Sequence, residues 1–295
     1  MDALHTISKV VADQTEQHGG RRGRSALAAY LADDVGRVLT ADAPAHLCRE
    51  LFSAAAQLTH LLAMMTDDAG HEGLAQMYYR AALDLARDAG NPAAYAVALR
   101  ATSAQALRMG HYRHALDLAD AAMAVGAGAT GATKAFLLSQ QAVARAHDGQ
   151  RHASITSLVT AETCLERASS VPGPFTAYPR AGFEYQRAQT LLALGLRTEA
   201  LTALRDSLRH RDSDRRRTSA LTEFRLGEVL MAVGHLDEAC VHWSRFLDHC
   251  PQLRSARIDQ ALAQVQRKLG RYQEQSQASE VRERARVLTR LVPSL

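Results

Sequence analysis

The segment from Leu221 to Pro251 reads LTEFRLGEVLMAVGHLDEACVHWSRFLDHCP. Apolar residues recur every three or four positions on both sides of Gly234, which is the spacing of amphipathic helices. Gly234 lies where this periodicity breaks, and glycine tolerates the positive φ that ends a helix. Pro251 closes the segment, because proline cannot continue a helix. The segment therefore predicts two amphipathic helices joined by a tight turn.

The same arrangement recurs about every 40 residues along the chain, a period typical of helical repeats. The turn glycines are Gly70, Gly110, Gly149, Gly195, Gly234 and Gly270. A small residue lies seven positions before each of them, at Ala63, Ser103, Ala142, Ala188, Gly227 and Ala263. Small residues let the two helices approach closely. Because a single hairpin cannot bury its apolar face alone, the pattern predicts a stack of hairpins.

This repeat resembles the tetratricopeptide repeat. The segment quoted above carries the family's leucine–glycine pair at Leu226 and Gly227, its turn glycine at Gly234, its alanine at Ala239 and its closing proline at Pro251. The period here is longer than the family's 34 residues. The resemblance implies an all-α fold.

The architecture that the resemblance implies is a right-handed superhelical solenoid of about five to six helical hairpins. We expect the solenoid to cover residues 43–295 and an N-terminal helical cap to cover residues 1–42. A longer loop is expected near 169–180, where three prolines occur, and a degenerate capping hairpin near 254–290. Within the cap, helices are expected at about 2–17 and 24–39, separated by a glycine pair. Whether these helices cap the solenoid or pair with a second copy is left open.

A second resemblance concerns the run from Leu51 to Asn91, LFSAAAQLTHLLAMMTDDAGHEGLAQMYYRAALDLARDAGN. It is similar to the repeat region of a group of actinobacterial transcriptional regulators, in which a helix-turn-helix module precedes the repeats. Residues 1–40 show no helix-turn-helix pattern. The resemblance therefore implies a regulatory role without direct DNA binding.

Composition excludes several classes of protein. Apolar residues make up 47% of the chain and aromatic residues 5%, which fits a globular helical protein better than a sheet-rich enzyme. No segment has the roughly 18 consecutive apolar residues of a membrane helix, and no signal peptide is expected. Four cysteines without a CxxC pair favour reduced thiols and a cytoplasmic location.

No motif of a catalytic, nucleotide-binding or metal site stands out. The segment CVHWSRFLDHC places His242 and His249 on one helix face, but Cys240 lies off that face and no zinc-finger spacing appears. We therefore expect no catalytic residue, no metal and no cofactor. A basic surface is expected at Arg209, Arg211, Arg215, Arg216 and Arg217, which would contact phosphate or an acidic partner if it is not simply solvated.

The first helix of each hairpin is expected to line a concave groove, by analogy with the family. The residues assigned to this groove are Gln57, His60, Met64, Arg100, Ser139, Gln140, Tyr185, Gln186, Gln189, Arg225, Glu228, Gln260 and Gln264. Amides and hydroxyls suit the backbone of an extended peptide, and Arg100 and Arg225 suit a carboxylate. An ordinary solvated surface is the alternative interpretation of the same residues.

The leading hypothesis is a non-catalytic scaffold that binds a protein or peptide in its groove, with a role in signalling, transcription control or specialised metabolism. One alternative is a nucleic-acid-associated transcriptional regulator that uses its arginine-rich surfaces. Its support is a sequence pI near 9.0, the arginine run at 209–217 and the arginine-rich segment from Arg282 to Arg290. A second alternative is an enzyme or enzyme subunit with a pocket inside the superhelix. A small-molecule effector and a homodimer are left open.

Overall fold

The computed structural model describes residues 2–40, 44–129, 131–168, 178–272 and 274–291, and all secondary structure in these ranges is helical. The helices are α1 (Asp2–His18), α2 (Arg24–Tyr30), α3 (Gly36–Leu39), α4 (Ala45–Asp68), α5 (Glu72–Asp88), α6 (Pro92–Arg108), α7 (Tyr112–Val125), α8 (Gly131–His147), α9 (Arg151–Glu166), α10 (Arg180–Ala193), α11 (Arg197–Arg209), α12 (Arg216–Ala232), α13 (Leu236–His249), α14 (Ala256–Leu269) and α15 (Ser276–Leu291). A π-helical turn at Leu31–Val35 joins α2 to α3, and a 3₁₀ turn at Cys250–Gln252 follows α13.

From α4 onward the described helices pair into six antiparallel hairpins: α4–α5, α6–α7, α8–α9, α10–α11, α12–α13 and α14–α15. Each hairpin also packs against a neighbouring one, so the units stack as a solenoid. This confirms the predicted all-α fold of stacked helical hairpins.

The turn glycines and small residues perform the roles that their spacing predicts. Gly70, Gly110, Gly149, Gly195 and Gly234 all have positive φ between the two helices of a hairpin. Gly270 differs, because it has a φ of −56° at the end of α14 and continues the right-handed backbone. Ala75, Ala115, Ala200 and Ala239 are fully buried where the second helix meets the first.

The fifth hairpin, α12–α13, buries large aromatic side chains in its core. Trp243 and Phe246 on α13 are fully buried against Leu226 and Leu230 on α12. The indole N–H of Trp243 donates a hydrogen bond of 3.2 Å to the carbonyl of Phe224. The aromatic residues of this segment are therefore core residues.

The N-terminal helices agree with the predicted boundaries, except that a π-helical turn interrupts the second one. Helix α1 packs on α4 of the first hairpin. It also packs on α12 of the fifth hairpin. The N-terminal segment thus contacts two units that are far apart in the sequence.

The predicted loop near 169–180 falls mostly on residues 169–177, which lie outside the described residues. The chain is described again from Tyr178, which is buried just before α10.

Candidate functional site

The first helices of the hairpins form a surface that is continuous from α4 to α10 and again from α12 to α14. Helix α4 contacts α6, α6 contacts α8, α8 contacts α10, and α12 contacts α14. First helices of successive hairpins pack together because they lie on the inside of the curve. We call this surface the inner face.

One end of the inner face is already covered by the chain itself. We call α1 and residues 18–22 the N-terminal clasp. On its apolar side, α1 places Leu4, Ile7 and Val11 against a buried cluster on α4 that includes Leu58 and Leu62. Partial burial of these side chains adds a hydrophobic contribution to the binding of the clasp.

The polar side of α1 is held by the start of α12. Asp13 forms an ion pair of 3.2 Å with Arg215. Glu16 lies 3.5 Å from Arg217 and accepts a hydrogen bond of 2.9 Å from the hydroxyl of Thr218. An amphipathic helix is therefore bound to the inner face through apolar contacts on one side and carboxylate–arginine pairs on the other.

The carboxylate of Asp68 joins three segments at the base of the clasp. It accepts hydrogen bonds from Nε and Nη2 of Arg217 at 2.8 and 2.6 Å, and from the hydroxyl of Ser255 at 2.9 Å. The backbone N–H of Gly20 donates to its other oxygen at 2.7 Å. Burial alone would raise the pKa of Asp68, but the charge and hydrogen bonds of Arg217 outweigh it and hold the pKa below its ordinary value.

The glycine pair of the clasp passes through a narrow gap. A Cβ on Gly19, which has a φ of +85°, would lie 2.5 Å from the carbonyl oxygen of Arg254, and one on Gly20 would lie 2.5 Å from that of Met65. The backbone N–H of Arg254 also donates to the carbonyl of His18 at 2.7 Å. Only glycine fits between these carbonyl groups. The packing of the clasp against the solenoid therefore requires glycine at positions 19 and 20.

These contacts change the expectation of an exposed basic surface at residues 209–217. Arg217 is buried and Arg215 pairs with α1, since both neutralise carboxylates of the clasp and of α4. Arg211 is half-buried and donates to the hydroxyl of Ser207 at 2.6 Å, and Arg216 is also half-buried. Arg209 is exposed and pairs with Asp206 at 2.7 Å. Most arginines of this run are engaged in contacts within the chain, which removes one of the observations that favoured a nucleic-acid surface.

The predicted groove residues divide by exposure. His60, Ser139 and Gln140 are buried, because neighbouring first helices pack closely over them. The half-buried members are Gln57, Arg100, Tyr185, Gln186, Gln189, Arg225, Glu228 and Gln264. Met64 is 38% exposed and Gln260 is also exposed.

A chain of hydrogen bonds connects three first helices beneath the inner face. The amide of Gln186 donates to Oε1 of Gln140 at 3.1 Å, and the amide of Gln140 donates to the hydroxyl of Ser103 at 3.1 Å. Ser103 in turn donates to the carbonyl of Ala115 at 2.7 Å. Gln140 is thus committed to internal bonds and fixes the spacing of α6, α8 and α10.

Arg100 packs against aromatic rings, unlike Gln140, which is held by hydrogen bonds. Its guanidinium carbon lies 3.9 Å from the ring centroid of Phe136, and that ring packs at 5.0 Å against Tyr178. His60 packs edge-on against Tyr79 at 5.8 Å. Burial, together with the positive charge of Arg100, lowers the pKa of His60 to about 4. The groove prediction included Arg100 and His60 but missed the aromatic residues, since Phe136 lies outside the positions by which the groove was assigned.

The histidine–cysteine segment on α13 is structural. Nδ1 of His242 lies 2.6 Å from Oε2 of Glu223 on α12, and Cys240 is buried with its pKa raised by burial to about 11. In the described part of the chain, no group of three or more histidine, cysteine or acidic side chains is arranged to hold a metal ion.

None of the helices within the described ranges combines the length and the apolar character needed to cross a bilayer.

No protein-family model and no curated protein matches the sequence. Similar solved structures include the APC/C hetero-tetramer Cut9–Hcn1, with 14% identity, a TM-score of 0.48, and coverage of 96% of this chain and 46% of that chain. They also include a monomeric IFIT1 mutant with Gppp-AAAA, with 15% identity, a TM-score of 0.46, and coverage of 93% of this chain and 68% of that one. The chain thus spans about half the length of the first of these proteins. The fold assignment rests on the hairpins of this chain itself.

Proposed function

We propose that this protein is a non-catalytic scaffold that binds a segment of a partner protein on the inner face, beside the N-terminal clasp. The observation that supports the proposal is the binding of α1, an amphipathic helix that the inner face holds by leucine contacts and carboxylate–arginine pairs. A surface with this chemistry suits a second segment of the same kind.

The uncovered part of the inner face supplies suitable contacts. Met64 is an exposed apolar side chain on α4, and Gln189 on α10 offers an amide. Arg225 on α12 pairs with Glu228 at 2.9 Å, and Glu228 also pairs with Lys268 of α14 at 3.1 Å. Polar pairs at the edge of an apolar surface are typical of the rim of a protein interface.

The role that we propose is regulatory or accessory, in signalling, transcription control or specialised metabolism. This part rests on the resemblance of residues 51–91 to the repeats of actinobacterial regulators. In this proposal the chain acts by bringing a partner into position rather than by chemistry of its own.

The test is capture of partners by the tagged full-length protein from its native host, followed by quantitative mass spectrometry. The inner-face variant carries Met64→Glu and Gln189→Glu. The matched control carries Met77→Glu and Val159→Glu, two exposed positions on the second helices α5 and α9, which are 67% and 58% exposed.

We expect a stoichiometric partner to be retained by the wild type and the control and to be lost, by at least tenfold, from the inner-face variant. Circular dichroism checks that both variants keep their helicity. The proposal is wrong if no protein is retained by the wild type, or if both variants lose the partner equally.

A further inference from the structure

Arg100 is a cation that has no anionic partner among the described residues. In the described part of the chain no carboxylate lies within ion-pair distance of it, and its buried Nε meets no acceptor. The charged and ionisable groups that act on it are Tyr178, Tyr79 and Arg108. Burial lowers the pKa of Arg100 to about 10, so the guanidinium is still charged at neutral pH.

Two other inner-face arginines contrast with Arg100. Arg108 pairs with Asp67, and Arg217 pairs with Asp68. Residues 169–177, which precede Tyr178, contain no aspartate or glutamate. The ring of Phe136 compensates only part of the desolvation of a guanidinium. An anion from outside the chain would neutralise the positive charge of Arg100.

A small cavity lies one helical turn from Arg100. Three parallel helices each contribute one residue to the cavity wall. Three positions later, each helix contributes a second residue, which is Arg100 itself or a neighbour of Arg100. The pairs are Gln57 and His60 on α4, Val97 and Arg100 on α6, and Thr133 and Phe136 on α8. His60 belongs to both layers, because it also lines the cavity. Residues three apart on a helix share a face. The cavity and the guanidinium therefore form two adjacent layers of one site.

The cavity is apolar and of limited size. Its volume is about 120 Å³, and Val97 and five alanines form most of its wall: Ala56, Ala82, Ala93, Ala94 and Ala98. An apolar cavity of about 150 Å³ holds a molecule of the size of benzene, so this one suits roughly four to six carbon atoms. Asn91 is committed to Ser53 and to the backbone of Ala94, whereas Oε1 of Gln57 is buried without a donor from the described residues.

The charge of the site selects among anions. Arg100 provides one positive charge, and His60 is neutral at pH 7 because its pKa is about 4. A single guanidinium matches the single charge and the planar geometry of a carboxylate. A phosphate dianion would be left with an uncompensated charge.

We propose that Arg100 and the adjacent cavity bind a monocarboxylate that carries an aliphatic group of about four to six carbons. The carboxylate accepts hydrogen bonds from the terminal nitrogens of Arg100, and the aliphatic group lies between α4, α6 and α8. The same chemistry is presented by a free carboxylic acid and by the C-terminal residue of a peptide with an aliphatic side chain. This site is separate from the positions that test partner binding.

The test is isothermal titration calorimetry on the full-length protein with 4-methylpentanoate. The uncharged control ligand is 4-methylpentanamide, which has the same carbon skeleton, and inorganic phosphate is the control anion. We expect the acid to bind at least tenfold more tightly than either control. Equal binding of acid and amide, or no heat with the acid at millimolar concentration, would overturn the proposal.

Two variants test the two layers separately. Arg100→Gln removes the charge and is expected to weaken binding of the acid by at least tenfold, whereas Arg205→Gln on the outer helix α11 leaves it unchanged. Ala94→Leu fills the cavity without touching the charge, and we expect it to abolish binding even if Arg100→Gln folds poorly. Retention of full affinity by Ala94→Leu would contradict the site.

A third comparison distinguishes the two sources of the carboxylate. Acetyl-alanyl-leucine with a free C-terminus is titrated beside its C-terminal amide and beside 4-methylpentanoate. Tighter binding of the free peptide than of the small acid assigns the site to a peptide C-terminus, and the reverse order assigns it to a free acid. If the peptide amide binds as tightly as the free peptide, the carboxylate plays no part and the proposal is wrong.

Discussion

Asp68 and Arg217 are 149 residues apart in the sequence and are joined by a hydrogen bond of 2.6 Å. Asp68 ends α4 in the first hairpin, and Arg217 lies in the first turn of α12 in the fifth. Ser255, which precedes α14 of the sixth hairpin, donates to the same carboxylate. Hydrogen bonds of Asp68 thereby connect the first hairpin of the solenoid to the fifth and the sixth.

The first prediction concerns this contact. Asp68→Asn leaves the buried guanidinium of Arg217 with Glu16 as its one remaining ion-pair partner among the described residues. Loss of one member of a buried ion pair costs about 3–5 kcal/mol. We expect a fall of at least about 2 kcal/mol in the free energy of unfolding, measured by urea denaturation. Asp248→Asn breaks an exposed pair with Arg284 and should cost less than about 1 kcal/mol. If the free energy of unfolding falls by similar amounts in the two variants, the Asp68 contact stabilises the fold no more than an exposed ion pair does.

The second prediction concerns the dependence of stability on pH. Burial and Arg100 lower the pKa of His60 from 6.5 to about 4, so the unfolded chain binds a proton at this residue that the folded chain does not. The stabilisation that the neutral His60 gives to the folded state is fully present above pH 6.5 and is lost as the pH falls toward 4. Between pH 7 and pH 5 it amounts to about 2 kcal/mol.

His60→Gln should therefore flatten the loss of unfolding free energy between pH 7 and pH 5. The exposed residue His152 on α9 offers the matched change, His152→Gln, which should leave the slope unchanged. Some dependence will persist in His60→Gln, because burial also lowers the pKa of His147 and of His249. An unaltered slope in His60→Gln would contradict the prediction.

The third prediction concerns the gap through which the clasp passes. Gly20→Ala places a Cβ 2.5 Å from the carbonyl oxygen of Met65, and overpacking of this kind costs about 1–3 kcal/mol. We expect a lower melting temperature and faster proteolysis of the N-terminal segment. Gly73→Ala is the control, since a Cβ at this position of α5 meets nothing within 4 Å and alanine favours the helix by up to about 1 kcal/mol. The prediction fails if Gly20→Ala is as stable as the wild type.

The fourth prediction concerns the close approach of α12 and α13. A Cβ on Gly227 would lie 2.5 Å from Nε1 of Trp243, so Gly227→Ala should cost about 1–3 kcal/mol. Because Trp243 is the single tryptophan, its fluorescence reports the change directly. A smaller ring in Trp243→Phe relieves the clash. Urea denaturation followed by circular dichroism compares the four proteins, because the variants with Trp243→Phe contain no tryptophan. The double variant should be less destabilised than the sum of the two single variants, and simple additivity would rule out a direct contact.

The repeat architecture could be predicted because it is periodic. Each hairpin carries its own turn glycine and small packing residue, so the evidence for one unit is repeated in the next. The close approach of Gly227 to Trp243 follows from their positions on either side of the turn glycine Gly234, which can be read from the sequence. Gly270 departs from the pattern because the chain continues right-handed at the end of α14.

The N-terminal clasp could not be predicted in the same way. It depends on single contacts, such as that of Glu16 with Arg217, between residues 201 positions apart, and nothing periodic marks them. The arginine run at 209–217 looked like a solvated surface because the carboxylates that neutralise it lie in α1 and at the end of α4. The site at Arg100 was seen only in part, since the position of Phe136 depends on how far α8 is shifted along α6.

The clasp also has a consequence for the synthesis of the chain. Glu16 leaves the ribosome about 200 residues before Arg217, which corresponds to a delay of roughly 10–40 s at 5–20 residues per second. During this interval α4 is already present, but the arginines that neutralise Asp13 and Glu16 are not. The hairpins can form one after another as they emerge, whereas α1, which is made before all of them, completes its contacts among the last.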